Sequence, residues 1–116
     1  MTDDRTDVVL AHHDDFDSLF FSAHDTGVEE AVLATGHEPD GHFWEALAGH
    51  LIRSRKLRID VDFHCEEDMF SAHGEPEHLA ILRDRLLPYL DDPVAVTTLI
   101  AQAERVGAFR RWSSRG

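Results

Sequence analysis

Between Leu57 and Cys65 the chain reads Leu-Arg-Ile-Asp-Val-Asp-Phe-His-Cys, an alternation of apolar and polar residues without a fault. A strand turns successive side chains to opposite faces, so Leu57, Ile59, Val61, Phe63 and Cys65 share one face and Arg58, Asp60, Asp62 and His64 the other. This is the pattern of a strand in a sheet with one covered face and one wet face.

The neighbouring segments fit the same plan. "EED" makes a turn after Cys65, and "MFSAHG" (69–74) returns as a second strand. Earlier in the chain, Val8 to Ala11 and Leu19 to Ala23 are short apolar runs separated by an Asp-rich interval that suits a hairpin loop. Thr26 and Glu29 have capping-box spacing, and Gly36 closes the short helix they would open. After the turn "HEPDG", a second helix begins at His42, with Phe43, Leu47 and Leu51 beside Trp44, Ala48 and Ile52 on one face. Arg53 and Arg55 sit in its last turn, where the helix dipole favours cations. The aromatics of the 36–45 segment are therefore expected in the core.

Pro76 suits the first turn of a third helix with a stripe of Leu79, Leu82, Leu86 and Leu90, and Pro88 is placed to end or bend it. A fourth helix starts with Asp92 as cap and Pro93 at its first position, and buries Val96, Leu99, Ile100, Ala103 and Val106 before Gly107 stops it. The tail, 108–116, is basic and unpatterned, with Phe109 and Trp112 as the residues able to fold back.

The expected architecture is α+β: a small antiparallel sheet of about four strands with helices packed on one face, in the order ββααββαα. The order is one unit given twice, and "FSAH" at 21–24 and again at 70–73 falls at the same place in each unit. The echo marks two similar halves. With 116 residues the chain supports one domain, 1–116.

No apolar run approaches the ~18 residues of a membrane span, and the acidic start lacks the charge of a secretory signal, so the expected setting is the cytoplasm. Cys65 is the single cysteine, which excludes an internal disulfide and a CxxC metal site and leaves it as a small apolar filler. The net charge is -12, and residues 1–52 hold twelve Asp or Glu against Arg5 alone. Such a field repels nucleic acid and attracts a basic partner.

Nine histidines and the string His12-His13-Asp14-Asp15 raise the question of a metal. Sequential histidines on a strand point apart, and no HExxH pair is present. His24 and His73 would face each other if their strands were neighbours, with Asp25 or His64 completing a site, but two ligands do not close one. Their expected role is structural, at the two strand-to-helix junctions. Ser22 and Ser71 have no GxSxG elbow, Asp60 and Asp62 fit a solvated strand face, and no Gly-rich phosphate loop exists. The residues thus argue for a protein without catalysis, metal or cofactor. The competing readings are a metal-dependent hydrolase using His12, Asp14, His24 and His73, and a housekeeping acidic interaction module.

"ATGHEPDGHFWEALAGHL" (34–51), with Gly, polar turn, Gly and an aromatic-Trp-Glu helix start, resembles the hallmark of the immunity protein 51 family of bacterial polymorphic toxin systems. "DFHCEEDMFSAHG" (62–74) is similar to that family's second landmark, and the terminal helix pair with "DDP" extends the likeness over about residues 18 to 107. The resemblance implies a small α+β protein that protects its own cell by binding and blocking a toxin; no catalytic residues come with it.

If the toxin is basic, the expected binding surface lies in the acidic first half. It comprises the loop His13, Asp14, Asp15, Phe16 and Asp17, the acids Glu29 and Glu30, and the turn residues Glu38 and Asp40. Phe16 places an aromatic among carboxylates, the composition of a hot spot inside a charged rim. Asp60, Asp62, Glu66 and Glu67 form the reserve.

Overall fold

Two hairpins build the sheet in the computed structural model, which describes residues 8–109. The first joins β1 (Val9–His12) to β2 (Asp17–Ser22), the second β3 (Val61–Phe63) to β4 (Met69–Gly74). β2 and β4 pair in the middle, giving the order β1-β2-β4-β3, antiparallel throughout. Four helices complete the chain in the expected ββααββαα order: α1 (Glu29–Ala34), α2 (Gly41–Ser54), α3 (Pro76–Asp91) and α4 (Pro93–Arg105).

The core lies between one sheet face and the helices. Leu19, Phe21, Phe70 and Ala72 on the central strands are buried against Trp44, Leu47 and Leu51 of α2 and the leucine stripe of α3. Trp44 is fully buried and packs edge-on against both Phe21 and Phe43. The α2 start is fixed twice: Asp40 accepts a hydrogen bond from the Phe43 N–H at 2.8 Å, and the Gly41 N–H donates to the Glu67 carbonyl at 3.0 Å. Gly41 is needed there, because a Cβ would overlap the carbonyl oxygens of Glu66 and Met69. Asp92 caps α4 by accepting from the N–H groups of Val94 and Ala95.

The structure differs from the sequence pattern at four places. The segment alternates half-buried with exposed residues from Leu57 to Cys65, yet only Val61–Phe63 forms a ladder. β4 leaves the sheet after Gly74 to enter α3, so Val61 is the last residue with a strand partner; Asp60 instead donates its N–H to His78 Nδ1 on α3 at 3.1 Å. The Thr26–Glu29 capping box does not form. The Gly27 N–H is tied to the Leu90 carbonyl at 2.9 Å, which holds the chain off the helical path until Val28, and Thr26 Oγ1 accepts only from the Val28 N–H. α3 runs through Pro88 to Asp91. Val106 is exposed, because α4 ends at Arg105 and the next buried side chain is Ala108 beyond Gly107 (φ 74°). Phe109 does fold back, stacked on Phe43 at 5.7 Å, while Trp112 lies outside the described residues. Among the described residues no helix is long and apolar enough to cross a membrane.

Candidate functional site

Among the described residues no helix covers the other face of the sheet. The pairing lines up Val9, Phe20 and Ser71 across it in one row, and Ala11, Ser18, His73 and Asp62 in the next. Over this second row folds the β1–β2 loop, closed by the His13 N–H donating to the Phe16 carbonyl at 2.8 Å. His13 Nε2 is hydrogen-bonded to Ser18 Oγ at 3.1 Å, which pins the loop to β2.

The fold-over creates a stack of four rings. His13 and Phe16 lie 4.4 Å apart by ring centroids, Phe16 and His73 4.5 Å, His73 and His64 4.1 Å, all close to parallel. The stack joins the loop to β4 and the residue after β3, and it leaves Phe16 42 % exposed at its edge. Burial is the main cause that lowers the His73 pKa below the ordinary histidine value, and the nearby imidazoles of His64 and His13 push it the same way against the pull of Asp62.

Beside the stack runs an open groove of about 690 Å³ where the sheet meets the start of α3. Six carboxylates line it, from Asp14, Asp15, Asp17, Asp60, Asp62 and Glu75, and among the described residues no Lys or Arg does. Thus seven of the sequence candidates, His13 to Asp17 with Asp60 and Asp62, come together in one place. The loop and the strand segment are 43 residues apart in sequence from Asp17 to Asp60 and meet because β4 pairs with β2 on one side and β3 on the other.

The remaining candidates lie elsewhere. Glu29 and Glu30 border a separate depression with Thr26 and Pro93, and Glu38 and Asp40 border another with Phe43 and Phe109. The Asp40 carboxylate is engaged in capping α2. Glu66 and Glu67 belong to the β3–β4 connection, whose backbone contacts Gly41. His73, Glu75 and His78 are groove residues that the charge count did not single out; the period-2 pattern of "MFSAHG" already put His73 opposite the buried Phe70 and Ala72.

Two chemical alternatives lose their geometry. β2 and β4 are indeed neighbours, but they run antiparallel with Ser22 against Met69 and Ser18 against His73, so His24 and His73 sit toward opposite ends of the sheet. A single ion cannot take both, which removes the ligand set of the hydrolase reading. His24 lies 3.8 Å from Glu29 at the β2–α1 junction, whereas His73 belongs to the ring stack. The Cys65 thiol is pushed up to about 12 by burial, far from the range of a reactive thiolate. Comparison with family models, with curated proteins and with solved structures finds no match to this chain.

Proposed function

We propose that the protein is an immunity protein that binds a basic toxin in the cytoplasm of its own cell and blocks it by surface complementarity, without catalysis. The observation that carries this reading is the groove in which six carboxylates surround a partly exposed aromatic, with no Lys or Arg among the described residues that line it. Carboxylates gathered on one concave surface steer a positively charged partner and set its orientation, and the aromatic supplies desolvated contact area. The likeness of residues 34–51 and 62–74 to the immunity protein 51 landmarks supports the toxin as the kind of partner.

The test is a titration of the protein with the purified toxin domain encoded by the neighbouring open reading frame, together with protection of cells that express the toxin. Binding and protection that Asp60→Lys and Asp62→Lys weaken are the expected result. A toxin domain that shows no binding, or that is bound equally well by both variants, overturns the reading.

A further inference from the structure

Deepening that reading, and resting on its basic partner, the uncovered sheet face itself calls for an occupant. Val9 is 39 % exposed and Met69 36 % exposed on this face, with Phe20 half-buried between β1 and β4. This apolar strip adjoins the ring stack, which in turn adjoins the acidic groove, so the face grades from apolar through aromatic to anionic over three rows of the sheet. A second copy of the chain is disfavoured as occupant, because each copy carries a net charge of -12 and would set its carboxylates against its twin's.

We propose that the uncovered face, centred on the His13–Phe16–His73–His64 stack, is the docking surface for a basic protein segment that presents arginine rather than lysine. The reason lies in shape. A guanidinium is planar, lies flat on ring faces and offers a fork of donors to a carboxylate, while an ammonium is a strongly hydrated point charge. Both faces of Phe16 and His73 are taken up within the stack, so the ring that offers a face is its end member His64, exposed and two residues on from Asp62, which sets a ring face beside a carboxylate. The imidazoles must be neutral to receive a cation. The groups facing His73 are His13 and Phe16 from the loop, Ser18 from β2, and His64 and Asp62 from the β3 side, and the histidines among them oppose its protonation.

The probes are end-blocked hexa-arginine and hexa-lysine peptides, followed by calorimetry and by NMR of the Met69 methyl and the histidine ring protons at low salt. The expected result is affinity for hexa-arginine about threefold or more above that for hexa-lysine. Shifts should gather on Phe20, Met69, His64 and His73, and binding should weaken as the pH falls below the histidine range. Val9→Lys and Met69→Lys change exposed positions and leave the fold intact; each should cut hexa-arginine affinity about tenfold. Leu33→Lys, on α1 and 54 % exposed, should not. Equal affinity for the two peptides, shifts confined to α1 or to the 37–40 turn, or indifference to both face variants overturns the proposal. So does a concentration-dependent dimer in sedimentation that Met69→Lys abolishes, since the face would then belong to a second copy. The same variants against the toxin domain separate the two levels: toxin binding that ignores them sinks this surface and leaves the immunity reading standing. Absent toxin binding sinks that reading, and the peptide result then decides the surface by itself.

Discussion

Phe21 and Phe70 stand directly opposite each other on the two central strands, their rings stacked with centroids 4.9 Å apart and planes inclined by 18°. They are the first residues of the two "FSAH" segments. Because the strands are antiparallel, the segments diverge from this pair, and each delivers its histidine toward a different end of the sheet. The echo is therefore a repeat of shape about a local two-fold, and the helices that follow do not share it: α1 has 6 residues and α3 has 16.

Trp44 packs edge-on against Phe21 of this pair and has no exposed surface. Replacing Trp44 with Ala should cost about 3 to 5 kcal/mol in urea unfolding, through lost burial and the cavity left behind. Trp44→Phe should cost far less than Ala, because the indole Nε1 is buried with no hydrogen-bond partner among the described residues.

Gly41→Ala should destabilise by more than about 2 kcal/mol, since the new methyl meets backbone on the β3–β4 connection and not a side chain that can swing aside. Gly36 has open space around it and a φ of 94°, so Gly36→Ala pays only the left-handed conformation, about 1 kcal/mol. Thermal unfolding of the two variants side by side gives the ranking.

His50 is buried in α2, its Nε2 finds no partner among the described residues, and its pKa is lowered first by burial and then by the charges of Arg53 and Arg55. A folded histidine with a depressed pKa binds fewer protons than the unfolded chain, so stability is full above the unfolded value of about 6.5 and declines as the pH falls below it. His73 acts in the same direction. Urea midpoints measured from neutral to mildly acidic pH should fall, and His50→Gln should flatten the slope.

Association with a basic partner should slow as salt rises, because steering is screened over about 10 Å at 0.1 M. Asp14→Lys, Asp15→Lys and Asp17→Lys should act mainly on the on-rate. Phe16→Ala should speed dissociation and also shift the ring resonances of His13 and His73, between which Phe16 is stacked. Stopped-flow mixing with the toxin domain at two salt concentrations reads all four.

Much of this molecule is written in local periodicity. The strand Met69–Gly74 and the stripe Leu79, Leu82, Leu86 and Leu90 follow from alternation and from helical spacing, as does the Asp92 cap from its neighbour Pro93. The departures arise where a distant backbone intervenes: Gly27 tied to Leu90 displaces the start of α1, and the exit of β4 at Gly74 cuts β3 short. The groove is of the same kind. Its acids were visible as charge, but the meeting of Asp14 with Asp62, and the ring ladder that spaces them, depends on the crossing of hairpins and leaves no signature in composition.

The sheet that leaves one face bare also ends in β1 and β3, short strands whose outer backbone groups have no strand partner among the described residues. Such edges invite pairing between molecules, and the net charge of -12 on each copy opposes it. Near the isoelectric point that the sequence sets, about 4.9, that opposing charge vanishes while the Val9, Phe20 and Met69 strip keeps its exposure, so solubility should be lowest there. The same balance constrains any complex. A long flexible polycation neutralises the acids without shielding the strip and drives the protein out of solution, whereas a folded partner that covers both keeps it dispersed.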